Sequence, residues 1–150
     1  MLYFRRAAAS DAESLTDLYR QLVSDDRIRV LPSRLAWLAL QLDNELLLAI
    51  HHDQIAATAH VHYCADAMYG EQPYAVVESI VVDQVHRRLG IGQRLIQEIE
   101  ARCVARDCSK IMLMSSAARH AAHRLFQISG FNPEGKYAFV KYRRHFRLAM

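Results

Sequence analysis

Side chains able to do chemistry concentrate in residues 74–106, YAVVESIVVDQVHRRLGIGQRLIQEIEARCVAR. Arg87, Arg88 and Arg94 crowd a turn that holds Gly90 and Gly92, between an apolar run and a helical pattern. The amides of a helix's first turn have no partner within the helix, and the helix dipole adds partial positive charge there. Glycines let an anion approach that backbone closely, so the arrangement suits a phosphate or pyrophosphate. The alternative is an ordinary tight strand-to-helix turn, but such a turn has no reason to gather like charges that repel one another. The dinucleotide fingerprint G-x-G-x-x-G is absent, since the chain reads G-I-G-Q-R-L, and no G-K-S/T follows.

Upstream of the turn, Glu78 is the only acid within the apolar run 76–82. A carboxylate placed there can take a proton from a substrate, attract a cation from the edge of a cleft, or do neither. The eight histidines invite a metal reading. His60 and His62, at i and i+2, share one face of a strand, which looks either into a cleft or to water. No third ligand stands at a recognisable spacing, so no metal is expected. His51 and His52 fall at a hairpin tip and are expected at the surface, and His86 is expected to be a minor phosphate contact. Cys64, Cys103 and Cys108 are odd in number and contain no C-x-x-C. Neither a disulfide framework, a zinc site nor a Cys–His nucleophile is expected, and a reducing cytosol is the natural compartment.

The elements that position these residues follow from periodicity. Leu2–Arg6 alternates weakly and predicts a first strand. Ser10 or Asp11 suits an N-cap, and Leu15, Leu18, Tyr19 and Leu22 predict an amphipathic helix over 11–23. Pro32-Ser33 begins a second helix with Leu35, Trp37, Leu38 and Leu42 on its apolar face. Residues 45–51 and 55–64 predict an antiparallel hairpin around a turn at 52–54. A loop over 66–73 leads into the strand before the glycine turn. The helix from Gly90 to about Ala105 buries Ile91, Leu95, Ile96, Ile99 and Cys103. A short strand over 110–114, a helix over 117–129 ending at Gly130, and closing strands over 131–133 and 137–142 complete the chain. The order predicts one mixed α/β domain over 1–150.

Composition limits the classes of function. Hydrophobic residues make up 52% of 150, which favours one packed domain over disorder. No apolar run approaches the ~18 residues of a membrane span, and the N-terminal segment does not read as a signal peptide. The net charge of +3 is local, carried largely by HRRLGIGQR and the tail KYRRHFR, so no nucleic-acid partner is implied. The tail reads as solvated.

Two motifs carry a resemblance to a known family. V-V-D-x-x-x-R-R-x-G-I-G-x-x-L resembles the central motif of the GNAT superfamily of acyl-CoA-dependent N-acetyltransferases, Q/R-x-x-G-x-G/A. Arg87, Gly90 and Gly92 occupy its three positions. A-x-x-x-F-x-x-x-G-F (Ala122, Phe126, Gly130, Phe131) resembles the family's A-x-x-x-Y-x-x-x-G-F. The phrase R-H-x-A-H-R-L-F, from Arg119 to Phe126, further resembles small-amine acetyltransferases, including those acting on aminoalkylphosphonates.

The resemblance implies a mixed, mostly antiparallel sheet splayed at its central strand and flanked by about four helices. It implies acetyl-CoA as co-substrate, with pantetheine against Ile80, Val81 and Val82. The pyrophosphate would lie on the loop of Arg87, Arg88, Leu89, Gly90, Ile91, Gly92 and Gln93. Ser116, Arg119, His123 and Phe126 are the expected cofactor contacts from the later motif. A backbone N–H near Val82 would polarise the acetyl carbonyl, and Glu78 would act as base on a primary amine of a small molecule. Tyr63, Tyr69, Asp25, Asp26 and Asp66 fall in segments that line the acceptor side in related proteins. The sequence departs from the pattern at Phe126, where the family's usual tyrosine would protonate the leaving thiolate; water, Tyr137 or Ser116 are the substitutes. Two other readings stay open: acetylation of a protein N-terminus or lysine, and a catalytically weak CoA-binding regulatory module. A cytoplasmic homodimer, using the final strand and the KYRRHFR tail, is the family-level expectation for assembly.

Overall fold

The computed structural model describes residues 1–147. The chain divides into two compact units, Met1–Leu113 and Met114–Met150. The first carries a five-stranded sheet in the order β1-β2-β3-β4-β5, built from Leu2–Arg6, Asn44–His51, Gln54–Cys64, Tyr74–Val82 and Ile111–Leu113. β1 to β4 pair antiparallel, and β5 joins β4 in parallel. That last connection needs a crossover, supplied by a helix.

Three α-helices belong to this unit: α1 (Ala12–Leu22), α2 (Pro32–Ala39) and α3 (Ile91–Ala105). Pro32 opens α2, where its missing N–H costs nothing. One sheet face packs against α1 and α2 through Leu46, Leu48 and Ile50 of β2 with Leu15 and Leu35. α3 lies against the other face and buries Ile91, Leu95, Ile96, Ile99 and Cys103, the stripe expected of helical periodicity. Each such apolar side chain contributes about 1.5–3 kcal/mol on burial. β2 is flanked by β1 and β3, and Asn44 through Ile50 are all buried. The β2–β3 hairpin turns on His52 and Asp53, with φ of 48° and 62°, the left-handed pair that a two-residue turn of matching twist requires. Gln54 already belongs to β3.

The second unit holds α4 (His120–Ile128), which begins three residues later than periodicity predicts, and a 3-10 turn at Arg143–His145. The closing strands expected over 131–133 and 137–142 are not formed. Tyr137 and Phe139 are each 91% exposed. Strand-forming residue types do not make a strand without a ladder partner and an apolar surface to cover, and a lone two-stranded hairpin is marginal in water. No described helix is long and apolar enough to cross a membrane.

Candidate active site

The sheet is irregular at one place on β4. Thr58 pairs with Val81 and His60 with Glu78, so three steps on β4 match two on β3. The extra residue is Ser79, with φ of 55°; a bulge of this kind bends the strand and increases its twist. β5 runs beside Ala75, Val76 and Val77 only. Its ladder stops where the bulge begins, and residues 78–82 extend past it. The bulge and the end of the β5 ladder thus fall where the sheet is expected to splay, next to Ile80 and Val81, which are buried, and Val82, which is half-buried.

Glu78 flanks the bulge and is half-buried. Directly paired residues of antiparallel strands share a face. Leu46 pairs with His60 and His60 with Glu78, so Glu78 lies on the face that α1 and α2 cover. Among the described residues its carboxylate makes no hydrogen bond or ion pair. His60 and His62 are on the same face with ring centroids 4.1 Å apart, so the open question of where they look is answered by the Glu78 side of the sheet. Burial, with His62 beside it, pushes the His60 imidazole down to about 4.

After β4 the chain turns through a 3-10 segment, Gln84–His86. Asp83 holds this turn: its Oδ1 accepts from the Val85 amide at 3.1 Å and from Gln21 Nε2 at 3.4 Å. Gln21 Oε1 in turn accepts the Gln84 amide at 3.0 Å, which ties α1 to the loop. Arg88 and Gly90 take left-handed φ of 63° and 73°, and Gly90 is the N-cap of α3. No side chain caps this helix, and the Arg94 amide is the one that bonds the Gly90 carbonyl, at 3.1 Å. The amides of Ile91, Gly92 and Gln93 precede it, in the first turn where no intrahelical acceptor exists. Such an end, with exposed Arg87 and Arg88 beside it, fits a pyrophosphate. Arg87 also has a structural bond: its Nε donates to the Val82 carbonyl at 3.2 Å, stapling the loop to the end of β4.

His86 departs from expectation. It is only 8% exposed and its ring meets that of His51 edge-on, with centroids 5.5 Å apart. It packs inward against the hairpin instead of outward toward phosphate, and His51 is half-buried rather than a surface residue.

Tyr63 also departs. Being odd-numbered on β3, it faces α3, where its hydroxyl donates to Glu45 Oε1 at 3.2 Å and its ring lies 4.1 Å from the Arg106 guanidinium. Glu45, 2% exposed, is ringed by Arg102, by Arg106 at 2.7 Å and by Arg6 at 3.5 Å. Burial alone would raise its carboxyl, but the three guanidiniums outweigh it and hold the group below its usual range. Sequence reasoning missed Glu45, Asn44, Gln21 and Asp83. Asp25 is taken up by Arg27 at 2.7 Å, and Asp66 accepts the Met68 amide at 2.9 Å within its own loop.

Ser116, Arg119, His123 and Phe126 belong to the second unit. There His123 Nε2 donates to the Ser116 carbonyl at 2.9 Å, spanning the start of α4. Phe126 is buried, with its ring centroid 6.2 Å from that of Phe131. Cys64, Cys103 and Cys108 are free thiols, and burial pushes Cys103 up to about 12. Among the described residues no group of three or more His, Cys, Asp or Glu is placed to hold a metal ion.

Comparison with solved structures bears on the fold. A putative acetyltransferase from Agrobacterium tumefaciens superposes with a TM-score of 0.84 at 21% identity, covering 93% of this chain and 99% of that one. An aminoglycoside acetyltransferase from an uncultured soil metagenomic sample gives 0.80 at 17% identity, covering 94% and 95%. Glucosamine-6-phosphate N-acetyltransferase from Arabidopsis thaliana gives 0.79 at 18% identity, covering 95% and 99%. No curated protein matches the chain by sequence. The family model for "Acetyltransferase (GNAT) family" matches residues 12–131, which includes β4, its bulge, the glycine turn and α4. The chain therefore belongs to the GNAT family of acetyltransferases, which use acetyl-CoA as co-substrate.

Proposed function

We propose that this acetyltransferase moves the acetyl group of acetyl-CoA to a primary amine of a small molecule, with Glu78 as the base. The observation that carries the reading is a half-buried carboxylate with no partner among the described residues, set at the bulge of β4 where the β5 ladder ends. A carboxylate held in a sheet without a counter-charge is poised to meet one, and a substrate ammonium supplies it.

Acetyl-CoA supplies an activated acyl thioester. The backbone of Ile80, Val81 and Val82 lines the pantetheine arm, and an amide near Val82 polarises the acyl carbonyl. The first-turn amides Ile91, Gly92 and Gln93, with Arg87, Arg88, Leu89 and Gly90, receive the pyrophosphate. Glu78 takes one proton from the ammonium, the freed nitrogen lone pair forms the N–C bond as the C–S bond breaks toward sulfur, and the nitrogen then loses a second proton to water to leave the neutral amide. Phe126 has no proton to give, so the departing thiolate is protonated by water or leaves as the anion, which is tolerable near neutral pH.

Thiol release from acetyl-CoA tests the reading against a panel: small primary amines, aminoglycosides, amino sugars, an aminoalkylphosphonate, a lysine peptide and a peptide N-terminus. Release with a small amine is expected. Absence of release together with no thermal stabilisation by CoA would sink it, and release only with peptides would move the acceptor to protein.

Phe126 motivates a second reading, a CoA-binding module with little turnover. If Phe126→Tyr raises a slow rate severalfold, the missing acid limits the wild type. A fast wild type insensitive to the change removes this reading.

A further inference from the structure

His60 is tied into a hydrogen-bond chain that fixes which of its nitrogens carries the proton. Asn44 Nδ2 donates to Asp43 Oδ1 at 3.0 Å, which turns the Asn44 amide oxygen the other way. That oxygen, Oδ1, lies 3.0 Å from His60 Nε2. An amide oxygen can only accept, so Nε2 must bear the hydrogen, and Nδ1 keeps its lone pair. The assignment does not depend on an arbitrary amide flip, because the Asp43 carboxylate has nothing to donate to Asn44 when ionised.

Nδ1 is thus an acceptor, and it has no hydrogen-bond partner among the described residues. The ring nitrogens buried without a partner are His51 Nδ1 and His86 Nδ1; that of His60 is not among them. Across the strand, His60 is the direct pair of Glu78. Cβ atoms of such pairs stand about 4.5–5.5 Å apart, close enough for both side chains to meet one nitrogen. Two acceptors with no partner among the described residues, on one face beside the end of the β5 ladder, complement a group with several N–H donors. A lone carboxylate would bind an ammonium but would leave its orientation free.

We propose that His60 is the second acceptor for the substrate's ammonium, holding one N–H through Nδ1 while Glu78 removes another proton. The proposal rests on the amine-acceptor reading above and adds a residue to it. The ammonium starts with three N–H bonds. One proton passes to the Glu78 carboxylate, and the N–H on His60 is retained in the amide. The third proton leaves to water as the C–S bond breaks, and the lone pair freed by the first loss is aimed by the Glu78 and His60 contacts. Such aiming is the orientation effect that makes an attack effectively unimolecular. Asp43 and Asn44 are positioning residues, because they act through the His60 tautomer.

The titratable groups around His60 are Asp43 beside Asn44 on β2, His62 on its own strand, Glu78 on β4, and Tyr19 from α1 next to Thr58. Three variants test the assignment. His60→Leu is expected to lower kcat/KM for the amine about 10- to 100-fold with KM for acetyl-CoA unchanged. His60→Gln, which keeps an amide N–H for Asn44 and offers an oxygen acceptor, recovers part of that loss. Asn44→Asp places a carboxylate on Nε2–H, which raises the basicity of the ring by about 1–3 pH units. The ring then protonates within the assay range and Nδ1 loses its lone pair, so kcat/KM for the amine falls below about pH 6, where the wild type holds level. A merely structural histidine would show no such new inflection.

A His60→Leu enzyme within twofold of wild type overturns the proposal, as does an Asn44→Asp profile that matches the wild type. The tautomer is read separately from the ¹⁵N shifts of the His60 ring in the wild-type protein at pH 7. A ring protonated on Nδ1 overturns the proposal whatever the activity. Wild-type protein that acetylates no amine would instead bring down the acceptor reading and this role with it.

Discussion

Glu45 and Glu78 are both acids set into apolar strands of the same sheet, two strands apart, and they face opposite sides. Glu45 is closed in: 2% exposed, with three arginines and the Tyr63 hydroxyl upon it. Glu78 is half-buried with no described partner, beside the only bulge on β4. The first carboxylate has been neutralised by the fold, so it can hold α3 to the sheet but cannot exchange a proton readily. The second keeps its charge for something that arrives. Satisfaction of the charge, more than burial, separates the acid that serves structure from the acid proposed as the base.

Substitutions at the two positions should split cleanly between rate and stability. Glu78→Gln is expected to lower kcat about 10²- to 10⁴-fold, with CoA affinity and thermal midpoint unchanged, by steady-state kinetics and calorimetry. Unaltered turnover would erase the distinction. Glu45→Gln is expected to cost about 3 kcal/mol of stability, because it leaves guanidiniums gathered around a neutral group, while turnover per folded molecule stays within twofold. Denaturant titration gives the first quantity and active-site-normalised kinetics the second.

The pH dependence of stability sharpens the same contrast. The Glu45 carboxyl is held below its ordinary value of 4.5 in the folded state. Its stabilising contribution is therefore present above about 4.5 and is lost as pH falls through the lowered folded value. Unfolding free energy should decline on acidification below that point, and Glu45→Gln should flatten the decline. The smallest expected effect lies in the loop. Gly90→Ala meets no steric obstacle within 4 Å but must hold φ near 73°. This costs about 1 kcal/mol, and if the strain is relieved by shifting the α3 N-terminus, CoA binding weakens by about fivefold. Calorimetric CoA titration checks it.

Much of the unit from Met1 to Leu113 could be read from periodicity, because its elements each bury one face and punctuate with Pro, Gly or turn residues. β1 falls on its expected bounds, and the strand, turn and helix over 74–105 appear nearly as predicted. The central motif also identified the family, since its glycines and arginines have a local reason to be there. Partnership was not legible. NELLL and VVESI look alike on the page, and nothing local says that Arg102, 57 residues on, belongs to Glu45. The Asp43–Asn44–His60 chain depends likewise on register between β2 and β3. The closing segments 131–133 and 137–142 have strand composition, yet whether a strand forms depends on a ladder that composition cannot supply. Tyr63 and His60 show the cost of a single step: three residues apart on one strand, they look to opposite faces and serve different groups.

The bulge at Ser79 is a phase shift in the side-chain alternation of β4. Without it, positions three apart on a strand must face opposite ways, yet Glu78 and Val81 pair with His60 and Thr58, which face the same way. One added residue thus lets the strand present an acid to the α1 side on one flank and keep its apolar register on the other. Drawing Ser79 into the ladder as the regular partner of His60 would act like a frameshift written in space. Residues 74–78 would then exchange sides together, sending Glu78 under α3 and Val77 to where the acid had been, with every letter of the strand left intact.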